Sequence, residues 1–256
     1  MKIYPWIKRG LDIILSGVAI LAASPLLIVI VLVLLCTGDH DVIYGQERIG
    51  LHNRHFKIWK FVTMVRNAEH MGGGMHTVKG DSRVTPFGRI LRMTKLNEVP
   101  QIFNIFFGDM SFMGPRPQTD ETFAPYSYEV KANIYKVRPG LTGIGSIVFR
   151  DEERILSECG KRGVSMQDCY DKEIMPYKGA LEMWYLRHIG FWTDLKLFFA
   201  TAWIVLTNYG DIICKWFRDL PARPAFLDCC SGDEDITEDE PFGGDEHNGR
   251  SAGDRA

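Results

Sequence analysis

The sequence predicts an α/β chain that is rich in helix, has a small sheet, and is attached to a membrane by one apolar segment near its N-terminus. The 256 residues suffice for one compact domain with attachments. No charged residue occurs between Ile13 and Gly38, whereas the chain after Thr37 has the mixed composition of a folded domain. Short extended segments at 41–46 and 55–61 precede several segments with helical patterning.

The apolar segment from Ile13 to Gly38 covers 26 residues. As a straight helix it would be about 40 Å long, which is enough to cross a bilayer. A cleavable signal peptide would need a shorter apolar stretch and a small-residue cleavage site. Neither is evident, so the segment is predicted to stay in the protein.

Ser24-Pro25 and the flanking charges argue against a simple span. Pro25 cannot donate to the carbonyl of Leu21, so we expect a kink there, with the Ser24 hydroxyl bonding freed backbone groups. Basic residues flank the segment on both sides, and the positive-inside rule places both flanks in the cytoplasm. They are Lys2, Lys8 and Arg9 before the segment and Arg48, Arg54, Lys57 and Lys60 after it. Two topologies stay open: a hairpin that returns to the same side, and a kinked bitopic anchor.

Charge and cysteine content describe the remainder of the chain. Residues 228–256 carry a net charge of −8 and residues 1–227 a net charge of +6. The basic charge of residues 1–227 suits phosphate-rich ligands and anionic lipid. The overall charge of −2 argues against nucleic acid as a partner. The acidic tail is predicted to be disordered.

Asp12 lies one turn after Lys8 and Arg9, which predicts an ion pair within the helix. The six cysteines form no CxxC or zinc pattern, so we expect free thiols.

After the two extended segments, the patterning predicts mainly helices and loops. Gly72-Gly73-Gly74 is predicted to be a flexible loop and Gly108–Pro117 a loop with fixed turns. Residues 151–172 are predicted to be partly helical. The predicted helices are Phe87–Thr94, Asn97 to Phe106 or Phe107, Ser127–Val137, and Thr193–Leu206, the last lying at a membrane interface or in the core.

Four motifs contain the residues suited to chemistry: Lys57–Met64, Gly88–Gln101, Gly108–Pro117 and Arg138–Gly143. In the second motif, Asn97 is a natural helix N-cap if Pro100 lies in the first turn, and Glu98 faces the positive end of that helix. The same placement suits a divalent metal and a diphosphate. Both interpretations, capping and catalysis, stay open from these residues alone.

Several arginines lie next to segments stiffened by proline or glycine. Arg116 stands between two prolines, whose fixed φ angles aim its guanidinium at low entropic cost. Each such arginine alone is equally explained by a surface ion pair. Together they favour the binding of a diphosphate with a metal. The four are Arg92, Arg116, Arg138 and Arg150.

These motifs, in this order after Lys8-Arg9-x-x-Asp12 and the apolar segment around Ser24-Pro25, resemble the bacterial sugar transferase family of monotopic polyprenyl-phosphate phosphoglycosyl transferases. The match runs from about Lys8 to Leu206, ends with the resemblance of Tyr185–Lys196, and covers only the catalytic domain. The resemblance implies a re-entrant membrane hairpin over 1–40, a catalytic domain over 41–227 with interfacial amphipathic helices, and the tail over 228–256.

The resemblance also implies a reaction and its participants. A carboxylate attacks the β-phosphate of a UDP-sugar, UMP leaves, and undecaprenyl phosphate takes the phospho-sugar at the cytoplasmic face of the inner membrane. Magnesium is the implied metal and Glu98 its ligand. Implied substrate-binding residues are Lys60, Thr63, Arg92, Arg116, Arg138 and Arg150. Inner-membrane lipid and downstream glycosyltransferases are the implied partners, and a homodimer is left open.

Asn97 is the main departure from the family pattern, because the family's nucleophilic Asp falls on this position. A carboxamide is a poor nucleophile, so three readings stay open. Glu98 attacks, or transfer is direct through a ternary complex, or the chain is inactive, either naturally, as a silent membrane scaffold, or because an Asp was deliberately replaced. We expect an active enzyme with Glu98 as its essential carboxylate. Val62 and Ile144–Phe149 also differ from the family pattern, and residues 151–183 look longer than is typical. A bitopic anchor on an unrelated nucleotide-binding domain is a further alternative.

Overall fold

The computed structural model describes residues 3–37, 40–68, 81–207 and 212–228. The predicted glycine loop at 72–74 and almost all of the predicted acidic tail lie outside these ranges. The described residues form twelve α-helices and four short strands, which confirms the helix-rich α/β prediction. Helices α1 to α12 are Tyr4–Cys36, Pro86–Met93, Gln101–Phe107, Asp120–Phe123, Tyr128–Asn133, Ile144–Val148, Glu152–Lys161, Met166–Cys169, Met175–His188, Phe191–Thr207, Ile212–Trp216 and Ala225–Asp228.

Two pairs of strands form the sheet structure. β1 (Ile43–Ile49) and β2 (His55–Phe61) pair antiparallel with Tyr44 opposite Lys60, so the two predicted extended segments form one hairpin. β3 (Ser111–Met113) and β4 (Gly140–Thr142) pair in parallel. The second pair was not predicted, since its strands lie inside segments that we expected to be loops.

Three glycines explain how the parallel pair packs so closely. A Cβ atom on Gly140 would lie 2.2 Å from the backbone nitrogen of Gly114, and one on Gly143 would lie 2.1 Å from the Gly114 carbonyl oxygen. Larger residues at these positions would therefore force the two backbones apart. This contact joins the Pro115-Arg116-Pro117 turn to the segment that begins with Arg138.

α1 is the one helix among the described residues that is long and apolar enough to cross a membrane, with a mean hydropathy of 3.1 in its most apolar window. It continues through Pro25, and the Ser24 hydroxyl donates to the Leu21 carbonyl at 2.8 Å. The prediction that Ser24 bonds a carbonyl freed by Pro25 is thus confirmed. The structure contains a single helix here and does not by itself confirm a hairpin with two separate arms.

Both ends of α1 nevertheless pack on the same folded domain. Near the N-terminal end, the Asp12 carboxylate accepts from Ser111 Oγ and from the Phe112 backbone, each at 3.1 Å. Near the C-terminal end, Ile30 and Leu34 are buried in a cluster that also contains Phe61 and Leu91. Between residues 16 and 30, no residue of α1 is buried. The middle of the helix is therefore less buried than the two ends that pack on the domain.

The ion pair expected between Asp12 and Lys8 or Arg9 is not the one observed. Lys8 forms its ion pair with Asp194 of α10 and also donates to the Met113 carbonyl at 2.8 Å. Arg9 donates to the carbonyls of Ile105 and Phe106 at 2.7 and 2.8 Å, at the end of α3. Both cations instead bond to groups on other elements, so neither forms the predicted ion pair with Asp12 within α1.

The helix predicted to start near Asn97 starts later. Residues Leu96–Glu98 form a 3₁₀ turn that follows Lys95 in a left-handed conformation (φ 58°), and α3 begins at Gln101 after Pro100. Backbone bonds from Glu98 and Val99 close this turn, so Asn97 is not an N-cap and the capping prediction was wrong. The helices predicted at 87–94, 127–137 and 193–206 are confirmed, with shifted ends.

The prediction of free thiols was wrong for two of the cysteines. Cys159 and Cys169 form a disulfide, whereas Cys36 is free and exposed. α7 ends near Gly163, whose positive φ turns the chain, and Ser165 caps α8 by accepting from the Asp168 backbone at 3.0 Å. This helix–turn–helix brings together two cysteines whose sequence spacing matches no known motif.

A candidate phosphate-binding site

One face of the β1–β2 hairpin presents a neutral side chain between two cations. Side chains two residues apart on a strand point to the same face, so Gln46 and Arg48 lie on one side of β1. Lys60 projects from the same side of β2. The Gln46 amide oxygen accepts from Arg48 Nη2 at 2.8 Å and from Lys60 Nζ at 3.3 Å.

The 3₁₀ turn before α3 brings Glu98 to this face. Arg116 Nη2 lies 3.6 Å from Glu98 Oε1, and the Glu98 side chain is 28% exposed. Burial opposes ionisation of Glu98, but Arg116, Lys60 and Lys95 outweigh it and leave its pKa below the usual value. We call Gln46, Arg48, Lys60, Glu98 and Arg116 the Glu98 cluster.

Cations outnumber carboxylates in the Glu98 cluster. Burial, together with the neighbouring Arg48, Arg116 and Arg92, lowers the pKa of Lys60 to about 8 against the opposing effect of Glu98. Three positive side chains therefore share one carboxylate, which leaves the site positive. Such a site binds phosphate groups, whose oxygens accept from several donors at once.

The backbone of Arg116 is fixed by a hydrogen bond from Tyr135. Its carbonyl oxygen accepts from Tyr135 Oη at 2.8 Å, and the Gln118 backbone also donates to that hydroxyl, at 2.9 Å. Tyr135 is buried between α5 and β4. The hydrogen bond from Tyr135, which the sequence did not show, therefore helps to fix the loop that carries Arg116.

Arg92 and Thr63 bond each other beside the cluster. Arg92 Nε donates to Thr63 Oγ1 at 2.8 Å, and Thr63 is buried. α2, which carries Arg92, reaches this position because Gly88 lies directly on the Thr63 backbone, where a Cβ atom would approach the carbonyl oxygen to 2.2 Å. The Thr63 hydroxyl thus supports Arg92, and Arg92 lies close enough to lower the pKa of Lys60.

Arg138 and Arg150 have other surroundings. Arg138 Nε donates to the Gly108 carbonyl at 2.8 Å and lies beside Arg9, at the opposite end of α3 from Glu98. Arg150 donates to the Ile204 carbonyl of α10. The structure therefore brings Lys60 and Arg116 to Glu98 and places Arg92 near Lys60, but it holds the other two predicted arginines at backbone carbonyls elsewhere.

Asn97 does not present a reactive group. Its Oδ1 atom is buried and has no hydrogen-bond partner among the described residues. Gln101, in the first turn of α3, is buried beside Glu98. Of the two predicted catalytic positions, only Glu98 combines charge with access.

The donor set fits a magnesium ion. Mg²⁺ prefers oxygen ligands, usually one or two carboxylates together with substrate phosphates and water. Glu98 offers an accessible carboxylate that could hold the ion beside a phosphate group, whereas the Asn97 Oδ1 atom is buried.

Sequence reasoning missed the contribution of β1 to this site. Gln46 and Arg48 were noted only as part of a strand and a basic flank. The alternation of polar residues at 44, 46 and 48 in an extended segment was the signal that placed them on one face. Two residues of the basic flank after the apolar segment, Arg48 and Lys60, thus belong to the candidate site.

A long apolar helix joined to an α/β domain with a positively charged site is typical of membrane-attached proteins that bind anionic ligands. The chain belongs to the bacterial sugar transferase family, whose sequence profile matches residues 3–208. This range contains the Lys8–Leu206 match inferred from the motifs.

Relatives in this family carry informative names. A UDP-N-acetylgalactosamine-undecaprenyl-phosphate N-acetylgalactosaminephosphotransferase of Aeromonas hydrophila is 32% identical over 215 residues, which cover 81% of this chain and 45% of that protein. A UDP-glucose:undecaprenyl-phosphate glucose-1-phosphate transferase of Klebsiella pneumoniae is 34% identical, with coverages of 76% and 39%. An undecaprenyl-phosphate galactose phosphotransferase of Salmonella typhimurium is 30% identical, with coverages of 80% and 41%. The chain spans less than half the length of these relatives.

Proposed function

We propose that this protein transfers a sugar-1-phosphate from a UDP-sugar to undecaprenyl phosphate, giving undecaprenyl-diphosphate-sugar and UMP. The transfer would be the first membrane step of bacterial surface glycan or exopolysaccharide assembly. The observation that carries the proposal is the excess of positive side chains around the accessible carboxylate of Glu98. The names of the relatives support the same donor and acceptor classes.

The reaction breaks the bond between the bridging oxygen and the β-phosphorus of the UDP-sugar, and the leaving group is UMP. Negative charge grows on that bridging oxygen as the bond breaks. Lys60 and Arg116 would stabilise this charge because they face the same small volume as Glu98. Arg92, fixed by Thr63, adds positive potential from behind Lys60.

Glu98 is proposed as the essential carboxylate and as the magnesium ligand. The ion, when bound, would neutralise part of the diphosphate charge. Two routes are compatible with this role. Either Glu98 attacks the β-phosphorus and the lipid phosphate then displaces it, or the lipid phosphate attacks directly. Without acceptor lipid, the first route releases one UMP per enzyme and the second releases none.

The proposed membrane placement is based on α1. Both ends of the helix pack on one domain while its unburied middle carries exposed Val18, Leu21 and Ile28. We propose that this middle part enters the bilayer and that both ends stay at the cytoplasmic face of the inner membrane, as a re-entrant, monotopic anchor. An anchor of this kind would bring the lipid phosphate to the height of the domain.

A silent scaffold of the same fold is the second candidate, and the burial of Asn97 Oδ1 favours it, because the position lacks both charge and access. The purified protein in lipid nanodiscs, offered a panel of UDP-sugars and undecaprenyl phosphate, distinguishes the two. UMP release with at least one sugar supports the transferase. Binding of lipid without UMP release from any sugar supports the scaffold.

A further inference from the structure

Gln46 and Arg48 of β1 lie in the proposed site without an assigned role. The Gln46 amide oxygen accepts from both Arg48 and Lys60. A neutral acceptor shared by two cations fixes their positions without cancelling their charge. A carboxylate at the same place would hold both cations more strongly, but it would remove the positive potential that a phosphate needs.

Arg48 retains unused capacity to donate. Its Nε atom is buried without a hydrogen-bond partner, and in the described part of the chain Arg48 makes no ion pair. A guanidinium has five N–H donors, and a buried one without a partner is costly. Its only bond to a side chain among the described residues is the one to Gln46.

The surroundings of Arg48 point to an anion that is brought by a ligand. Arg116 and Glu98 are close enough to act on its pKa, and burial together with Arg116 lowers that pKa. The neighbouring carboxylate on its own strand, Glu47, lies on the opposite face and is directed to His55. Arg48 thus lies near Glu98 and Arg116, in a cluster where cations are in excess.

We propose that Arg48 binds a phosphate oxygen of the substrate in the Glu98 cluster and that Gln46 is a positioning residue that holds Arg48 and Lys60 around it. The proposal rests on the proposed function and extends it to a third side of the site. The ligand chemistry is a phosphate ester oxygen. It can come from the nucleotide diphosphate or from the lipid phosphate.

The first experiment compares Arg48→Gln, Arg48→Lys and the control Arg54→Gln in nanodiscs. Arg54 is an exposed arginine of the same hairpin, so its replacement removes an equal charge outside the cluster. Steady-state UMP release and UDP binding by calorimetry are measured for each. We expect Arg48→Gln to lower kcat/KM about 100-fold, Arg48→Lys about 10-fold, and Arg54→Gln less than about twofold.

The arms of this experiment identify the source of the phosphate. A nucleotide contact weakens UDP binding and raises KM for the UDP-sugar, with KM for undecaprenyl phosphate unchanged. A lipid contact gives the reverse pattern. Equal values for Arg48→Gln and Arg54→Gln, with an active wild type, overturn the proposal. A wild type that neither releases UMP nor binds UDP overturns the proposed function as well.

Gln46 is tested through pH. Gln46→Glu places a carboxylate on Lys60, so the alkaline loss of UDP binding should move up by about one pH unit. Gln46→Ala should raise KM about 10-fold with little change in kcat. The titratable and charged groups facing Lys60 are Glu98, Arg48, Arg116 and Arg92. A pH profile that stays at its wild-type position in Gln46→Glu, in protein with a wild-type melting temperature, overturns the positioning role.

Discussion

Two polar clusters of this protein differ in how their charges are matched. In the first, which we call the Asp194 network, Lys8 pairs with Asp194, and Tyr4 and Tyr185 donate to the same carboxylate at 2.5 and 2.7 Å. The side chains of Lys8 and Asp194 are 14% and 12% exposed. In the Glu98 cluster, three cations share one carboxylate, and Arg116 and Glu98 are 40% and 28% exposed.

The difference shows which cluster is built for stability and which for a ligand. A buried group of charges that is matched and saturated with hydrogen bonds joins α1 to α10 and needs nothing from outside. An accessible group with surplus positive charge is complete only when an anion binds. Variants in the first cluster should therefore affect folding, and variants in the second should affect turnover.

The largest expected effect is at Glu98. Glu98→Ala should lower UMP release about 1,000-fold, because the essential carboxylate is removed, with a melting temperature close to that of the wild type. Glu47→Gln, an exposed carboxylate on β1, is the control and should leave the rate unchanged. Activity retained in Glu98→Ala would remove Glu98 from the chemistry.

The Asp194 network should show the opposite behaviour. Asp194→Asn leaves Lys8 buried without its counter-charge, which should lower the free energy of unfolding by about 3 kcal/mol. Denaturation in detergent checks this value, with Asp120→Asn, an exposed carboxylate, as the control. A variant that melts like the wild type but no longer turns over would assign Asp194 to catalysis.

Glu182 of α9 extends the comparison to a buried charge that is poorly matched. Burial raises the pKa of Glu182 to about 7, although Lys178 and a hydrogen bond from the Gly145 backbone act to lower it. The Glu182 Oε2 atom has no hydrogen-bond partner among the described residues. The folded state binds this proton more tightly than the unfolded chain, so the resulting stability is lost as pH rises through about 7.

Replacing Glu182 by Gln should remove that loss. We expect Glu182→Gln to be more stable than the wild type at pH 8 by about 2 kcal/mol, and equal to it at pH 5. Thermal denaturation at the two pH values measures the difference. A variant destabilised equally at both would show that the carboxylate is needed in its ionised form.

Lys60 should make nucleotide binding depend on pH. Its ammonium group is charged below a pKa of about 8 and neutral above it, so UDP affinity should fall as pH rises through that value. We expect about a 10-fold loss between pH 7 and 9, which calorimetry can follow. In Lys60→Arg the loss should disappear, because arginine stays charged. Persistence of the loss in that variant would place the titrating group elsewhere.

The smallest effect is expected at Asn97. Because its oxygen is buried, Asn97→Asp should change UMP release by less than about threefold if Glu98 is the essential carboxylate. Release rates for the two proteins under identical conditions measure this. A large gain would instead mean that the natural chain is silent.

Regular periodicity explains what could be predicted from the sequence. The β1–β2 hairpin and the helices around 87–94 and 193–206 have strong local patterns, and Ser24-Pro25 has a local chemistry that the structure confirms. The parallel β3–β4 pair has three-residue strands, too short for a pattern, and forms only because distant glycines meet.

The site was predictable where motifs are contiguous. Lys60, Glu98 and Arg116 lie in segments that could be recognised one by one. Arg138 and Arg150 lie in equally conspicuous segments, but tertiary packing brings their donors to backbone carbonyls. Gln46 matters through its bond to Lys60, and Arg48 through its proximity to Glu98 and Arg116, and no single segment contains these partners.

The packing of the C-terminal part of α1 on β2 has a mechanical consequence. Ile30 and Leu34 pack on Phe61, and Phe61 follows Lys60 directly in β2. If the middle of α1 lies in lipid, a change in bilayer thickness or lateral pressure would displace the C-terminal part of the helix against that strand. In that case the depth of the anchor would bear on β2 through the ring of Phe61, one residue away from Lys60.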